Sequence, residues 1–192
     1  DNRSHEKGLL GVVADIIKVE KKYETAIETA LGGSIQNIVT DNEQTAKRMI
    51  EFLKKNKFGR ATFLPLTQIR SHGGIAQPQA LNEAGVIGLA DTLVMVEDRY
   101  LELAGSLLGR TLVVDHIDHG LAIARKYRQS IRIVTLEGDL INPGGSMTGG
   151  AFKNSSNLLS RRREIEELEQ AVQKLRADVA KTEQEIAELK NN

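Results

Sequence analysis

Residues 8–32 read GLLGVVADIIKVEKKYETAIETALG, and residues 85–109, which lie 77 positions later, read GVIGLADTLVMVEDRYLELAGSLLG. Seven of the 25 aligned positions are identical without a gap, whereas unrelated segments of ordinary composition would share about one or two. The identities include Gly11, Tyr23 and Leu31. A repeat of this length predicts two related structural units within the chain.

The sequence after each repeated stretch continues with the same order of elements. A short β-branched run at 35–39 is followed by a helical pattern at 43–55 and an apolar strand at 60–64. The second half carries the corresponding segments at 111–114, 119–127 and 132–136. The polar, Gly- and Pro-containing stretch 67–82 reads as the linker. Two related strand-and-helix subdomains predict a mixed α/β (α+β) fold.

The C-terminal segment has a different periodicity. Apolar residues alternate at spacings of three and four, and charged residues occupy most of the other positions, which predicts a coiled-coil helix of about four heptads. The alternative is an amphipathic surface helix packed on its own domain. The seam consists of Ile165, Leu168, Val172, Leu175, Val179, Thr182, Ile186 and Leu189.

Four glycines follow a G-x6-G-x3-G-G pattern near the end of the second half: Gly138, Gly145, Gly149 and Gly150. Glycine permits tight turns, allows another backbone to approach closely, or offers amides to a phosphate. A phosphate-binding Walker loop would end in Gly-Lys, and Gly-Lys occurs nowhere in the chain. The pattern therefore favours an exposed segment built for close backbone contact.

The duplicated α/β unit, the glycine pattern that closes the second unit and the heptad coil behind it resemble the hinge domain of bacterial SMC (structural maintenance of chromosomes) proteins of the condensin type. The resemblance extends from about Gly8 to Asn192. It implies that coiled coil enters and leaves the hinge and folds back antiparallel. It also implies that two hinges join at two equivalent contacts to form a ring, and that ATPase heads lie at the distant ends of the full protein.

This resemblance implies a division of the chain into four segments. Residues 1–7 are then the remnant of an N-terminal coiled coil or of the expressed fragment, 8–82 and 83–157 are hinge subdomains I and II, and 158–192 begin the C-terminal coil. The glycines that match the family's dimer interface are Gly138, Gly145, Gly149 and Gly150, with Gly32 and Gly33 as the reciprocal surface.

Positive charge is segregated locally, although the formal net charge is +0. Two clusters lack acidic neighbours, and clustered cations of this kind suit a DNA backbone read without sequence preference. The alternative is that lysines at a helix C-terminus merely complement the helix dipole. The predicted DNA-binding residues are Lys54, Lys55, Lys57, Arg60, Lys153, Arg161, Arg162 and Arg163.

The resemblance also sets expectations about activity and partners. The fragment is expected not to be an enzyme and to need no cofactor, because ATP and Mg²⁺ would bind at the heads of the full-length protein. Its expected partners are a second hinge, DNA, and the N-terminal coil strand of the same chain. The expected location is the cytoplasm, with the nucleoid and without a membrane.

Two other functions stay open at this stage. One is a small α/β enzyme that binds an anionic metabolite at the glycine segment, and the other is a coiled-coil scaffold without a nucleic-acid role. His116 and His119 lie beside Asp115 and Asp118, which suggests either a metal site or a capped helix start with one of the aspartates as N-cap.

Overall fold

The first half of the molecule alternates short strands with helices. The computed structural model describes residues 7–152 and 158–191. The first-half elements are β1 (Leu9–Val12), α1 (Val13–Ile16), β2 (Lys18–Val19), α2 (Glu24–Leu31), β3 (Ile38–Thr40), α3 (Glu43–Lys55) and β4 (Phe63–Pro65).

The second half repeats this order and adds two strands. A 3₁₀ helix at Ala90–Leu93 takes the place of α1. The remaining elements are β5 (Val86–Leu89), β6 (Val94–Met95), α4 (Leu101–Leu108), β7 (Thr111–Val114), α5 (Ile117–Lys126), β8 (Arg132–Thr135), β9 (Leu140–Ile141), β10 (Met147–Thr148) and, after the second half, α6 (Leu158–Asn191).

The two main sheets share one topology, which confirms the predicted duplication and the mixed fold class. Strands β1-β3-β4 and strands β5-β7-β8 are each ordered as an antiparallel pair followed by a parallel pair. Both antiparallel pairs have a register shift, between Leu9 and Gly11 and between Val86 and Gly88, at positions 77 apart. The second sheet alone continues through β9 to β10.

The halves are joined by their equivalent elements. Strand β2 pairs antiparallel with β6, so that Lys18 lies opposite Met95, its counterpart 77 residues later. Helices α2 and α4 also contact each other. An antiparallel pair of equivalent strands has a local two-fold axis. One buried cluster takes side chains from both halves, including Ile27 and Leu108, and both halves belong to one compact unit that ends at Leu159.

The chain that leaves each half docks on a helix of the other half. After the first half, the amide of Ser71 donates to Glu102 of α4 (2.6 Å), and a Cβ at Gly105 would collide with the Ser71 side chain. After the second half, the amide of Leu158 donates to Glu28 of α2 (3.0 Å). Glu28 and Gly105 are equivalent positions of the repeat, 77 residues apart.

The structure corrects several predicted local features, among them the strand predicted at 60–64, which is observed at Phe63–Pro65. Strand β3 starts at Ile38 because Gly32–Gln36 form a 3₁₀ helix. Strands β9 and β10 were not predicted, because two-residue strands carry no periodicity. The N-cap of α5 is His116, whose Nδ1 accepts from the Asp118 amide at 3.2 Å, rather than either aspartate.

Helix α6 forms a unit of its own from Ser160 onward. Leu159 is buried, whereas the apolar side chains from Ile165 to Leu189 on the seam are exposed. An exposed apolar stripe at heptad spacing is the surface that a coiled-coil partner covers. Among the described residues no helix is long and apolar enough to cross a membrane.

Replacement of Glu83 by Gln tests the contact that holds the residue just after the linker against the end of α5. Lys126 Nζ and Tyr127 Oη donate to Glu83 Oε1, at 2.5 and 2.9 Å. The hydrogen bond from Lys126 is the main cause that holds the pKa of Glu83 below its ordinary value. The carboxylate therefore stabilises the fold above its unfolded pKa of about 4.3, and this is lost as the pH falls through the folded pKa.

We expect Glu83→Gln to lower the Tm at pH 7, and we expect the gap to the parent protein to close below about pH 4. Thermal unfolding between pH 3 and 7 measures it. Glu51→Gln is the matched control, because the Glu51 carboxylate is 63% exposed and lies 3.9 Å from Lys47. A gap that stays constant with pH would contradict the assignment.

Candidate functional site

The glycine segment forms a hairpin and the chain that leaves it. Strand β9 pairs antiparallel with β10, and the connection is closed by the amide of Gly145, which donates to the carbonyl of Asn142 (3.0 Å). Pro143 and Gly144 are the central residues of this turn, and the φ of 90° at Gly144 suits the third position of a type II turn. The two strands of this hairpin extend the second sheet beyond β8.

Gly138 has a role inside its own chain. It is buried, its φ is 89°, and its amide donates to the carbonyl of Thr135 in the turn between β8 and β9. A Cβ there would collide with the Phe152 ring and would lie 2.9 Å from Thr25. Gly138 therefore offers little surface to a partner, in contrast to its predicted place at a dimer interface.

Gly145, Gly149 and Gly150 are exposed, as the interface prediction requires. Gly149 and Gly150 directly follow β10, which is the last strand in the order of the second sheet, and Met147 of β10 is 50% exposed. A Cβ on Gly150 would meet nothing within 4 Å, whereas one on Gly149 would meet Asp139 Oδ1 at 2.7 Å. The outer side of β10 has no strand beside it within the described chain.

Strand β4 is the corresponding open edge of the first sheet, where no β9 or β10 equivalent covers it among the described residues. Beside its start lies a shallow polar depression. Gly33 has open space around its Cβ direction, and Gly32 ends α2 with a φ of 54°. The depression is lined by Gly33, Gln36, Asn37, Arg60, Ala61 and Thr62.

The first basic cluster surrounds the C-terminal end of α3. Lys54 and Lys55 lie in its last turn, and Lys57 and Arg60 follow; all four are exposed. Within residues 7–152 and 158–191 these cations have no ion pair. Phe58 is 59% exposed and rests on Phe52 with ring centroids 5.9 Å apart. The sequence had suggested no role for this exposed ring.

The second predicted cluster is only partly described. Lys153 lies outside the described residues. Arg161, Arg162 and Arg163 lie in α6 and are engaged in polar interactions, of which one joins Arg163 Nη1 to Glu167 Oε1 at 2.9 Å. These arginines therefore already have partners within the protein, and their role in DNA binding stays a prediction.

The structure brings two predicted sites together. Gly33, predicted for the dimer interface, and Arg60, predicted for DNA, line the same depression. The sequence comparison missed a further group of cations, Arg125, Lys126 and Arg128, at the end of α5. An alignment of the ends of α3 and α5 at a spacing of 71 residues would have found them, because basic residues recur there.

The histidine and aspartate group at the start of α5 is a capping structure. His119 Nδ1 lies 2.7 Å from Asp115 Oδ1, and this hydrogen bond is the main cause that lowers the pKa of Asp115. His116 caps the helix. No group of three or more potential metal ligands occurs within the part of the chain that the structure describes.

The sequence of this chain is similar to those of SMC hinge domains and of chromosome partition proteins. The family model for the SMC proteins Flexible Hinge Domain matches residues 6–124. The Chromosome partition protein Smc of Bacillus subtilis (strain 168) is 43% identical over 188 residues, which are 96% of this chain and 16% of that protein. The protein of that name from Methanocaldococcus jannaschii is 40% identical over 151 residues, which are 79% of this chain and 12% of that protein.

Solved structures show the same likeness. An asymmetric dimer of the Geobacillus stearothermophilus SMC hinge domain has a TM-score of 0.81 at 37% identity, covering 95% of this chain and 74% of that one. The Pyrococcus furiosus SMC hinge domain has a TM-score of 0.64 at 32% identity, covering 81% and 79%. The chain spans about one sixth of the length of the Bacillus relative.

Replacement of Gly138 by Ala tests its role as a buried turn residue. We expect a loss of about 1–3 kcal/mol of unfolding free energy, because the left-handed backbone and the collision with Phe152 and Thr25 both oppose a side chain. Urea denaturation measures it. Gly59→Ala is the matched control, since Gly59 has neither a positive φ nor an atom within 4 Å. Equal stability of the two variants would contradict this role.

Proposed function

The chain belongs to the family of SMC flexible hinge domains, and on that premise we propose that it joins two copies of an SMC chromosome partition protein and contacts DNA without sequence preference. The observation that carries the proposal is that β4 in the first half and β10 in the second are each a terminal strand of their sheet, with glycines beside them. Since the chain spans only part of its relatives, ATPase heads and a role in chromosome partition belong to this proposal as well.

Edge-to-edge pairing is the proposed mode of dimerisation. In this proposal β10 of one copy pairs with β4 of the other copy. The small residues Gly149 and Gly150, which follow β10, leave room for the approach. Open edges with unpaired amides and carbonyls form hydrogen bonds to an added strand when side chains do not block the approach. A two-fold axis makes this contact twice, and two contacts between different patches close a ring.

DNA contact is proposed for the cluster at the end of α3. Lys54, Lys55, Lys57 and Arg60 are exposed cations without ion pairs within the described part of the chain. Such cations bind phosphates by charge, independently of base sequence. The helix dipole favours cations in the last turn and would account for Lys54 and Lys55, but Arg60 lies beyond the helix.

An enzyme that binds an anionic metabolite at the glycines has less support. Such a site needs several free amides converging on the anion. Here the amides of Gly138, Gly144 and Gly145 donate to the carbonyls of Thr135, Gln129 and Asn142. These three amides already donate to backbone carbonyls and are not free to bind an anion. The other alternative, a coiled-coil scaffold, would dimerise through α6 instead of through the sheet edges. Removal of α6 distinguishes the two.

Replacement of Gly33 by Leu tests the interface without disturbing the monomer. The Cβ direction of Gly33 is open and its φ is not positive, so the isolated chain accommodates a side chain. We expect the dimer of about twice 21.1 kDa to dissociate at least tenfold more readily, because the leucine blocks the partner strand. Light scattering across a dilution series measures this, with circular dichroism as the check on folding.

Gln44→Leu is the control, because it adds the same side chain at an exposed position in the first turn of α3. Both variants are also made in a chain that ends at Ser160, which removes the coil. A dimer that persists in Gly33→Leu without the coil would refute the proposed edge contact. A parent chain that becomes monomeric without the coil would favour the scaffold.

Replacement of Lys54 and Lys55 by Gln tests the DNA contact. We expect weaker binding of duplex DNA and a slope of log K against log salt that is smaller by about 2, since each lost phosphate contact removes about 0.9. Fluorescence anisotropy measures it between about 50 and 200 mM salt, the range over which phosphate contacts weaken strongly. An unchanged slope with unchanged dimerisation would make these lysines ordinary surface charge.

A further inference from the structure

The end of α5 reproduces the backbone hydrogen bonds of the end of α3, although Gln129 has a positive φ of 58° and its counterpart Phe58 does not. In α3 the amides of Lys57 and Phe58 donate to the carbonyls of Lys54 and Leu53, at 3.2 and 2.9 Å. In α5 the amides of Arg128 and Gln129 donate to Arg125 and Ala124, at 3.2 and 2.7 Å. Each donor and each acceptor lies 71 residues from its counterpart. The two helix ends are therefore equivalent structures of the repeat.

The charges recur with the backbone. Lys54, Lys55 and Lys57 correspond to Arg125, Lys126 and Arg128, and all six side chains are exposed. Lys126 is bound by Glu83. Arg125 and Arg128 have no ion pair within the described residues. Two unpaired guanidinium groups thus stand in the second half where lysines stand in the first.

The backbone conformation at Lys57 and Arg128 favours glycine rather than the cation that is present. Their φ angles are 54° and 57°, in the left-handed region. Helices commonly end on glycine at such a position, because any side chain is strained there. The helix dipole favours cations within the last turn, but it gives no reason to accept this strain. A cation occupies this position in both halves, although the uncharged Gln129, with a φ of 58°, has the same kind of backbone beside Arg128.

Each half places an arginine that follows its basic helix end near the C-terminal end of α2. On the side of the first half, Gly33, just past α2, lines the depression that contains Arg60. On the side of the second half, Arg132, four residues beyond Arg128, donates from Nη1 to the carbonyl of Ala30 in α2 at 2.9 Å. Arg60 and Arg132, which follow the two clusters in the sequence, therefore both lie near this end of α2.

We propose that Arg125 and Arg128 form a second contact to the phosphate backbone of DNA, equivalent through the internal repeat to the contact at Lys54, Lys55 and Lys57. Guanidinium groups bind phosphate oxygens in a bidentate manner. Lys126 contributes less, because Glu83 holds it. This inference rests on the DNA contact proposed above and extends it to the second half of the chain.

The test uses Arg125→Gln with Arg128→Gln in the full chain. We expect the slope of log K against log salt for duplex DNA to fall by about 2 for each bound chain. Lys22→Gln with Lys47→Gln is the control, because it removes two exposed cations away from both helix ends. An effect no larger than the control overturns the inference.

The variants at the two helix ends separate this inference from the proposal on which it rests. If only Lys54→Gln with Lys55→Gln weakens binding, the first DNA contact stands and the second is wrong. If neither pair weakens binding, both fail. If both pairs do, the changes in slope should add in the fourfold variant, because separate phosphates are lost.

A second substitution distinguishes binding from a structural role. Arg128→Gly relieves the left-handed strain, and we expect the Tm to rise by roughly 2–4 °C. At 25 °C, where the chain is folded, we expect the slope for DNA to fall by about 1. Retention of full DNA binding in this variant overturns the role of Arg128, whatever happens to the Tm.

Discussion

The antiparallel pairing of β2 with β6 is the contact on which the other features depend. It places Lys18 opposite its own repeat partner Met95 and thereby sets a local two-fold axis between the halves. Helices α2 and α4 meet beside it, and one apolar cluster is filled from both sides. Without this pairing each half would expose to water the apolar side chains that it contributes to this shared cluster.

The two halves share one strand topology and differ in the strands that the second half adds. The second sheet gains β9 and β10, and the first ends at β4. The sheet edge on the side of β4 is therefore unextended in the first half, whereas the equivalent edge of the second half is extended to β10. In the proposed dimer, β10 of each copy pairs with β4 of the other copy, so that the same contact forms twice.

The duplication, the helix at 43–55 and the long C-terminal helix were predictable because each carries a periodic signal or an ungapped repeat. The site was less predictable. Gly138 and Gly149 share one motif, yet the first is buried against Phe152 and the second is exposed after a strand. Their difference arises from the β9–β10 hairpin, whose two-residue strands leave no pattern. Proximity of Gly33 to Arg60 depends on tertiary packing, which spacing alone does not encode.

The reciprocal docking of Ser71 on α4 and of Leu158 beside Glu28 of α2 has a consequence for the origin of the chain. The segment that follows each half packs against an equivalent helix of the other half, as in two subunits that exchange terminal segments by domain swapping. The present molecule therefore has the architecture of a two-fold dimer of half-size units joined in one chain, as duplication of a half-size sequence would give. Its later partner would add a second symmetry axis outside the first, so that one dimer is nested in another.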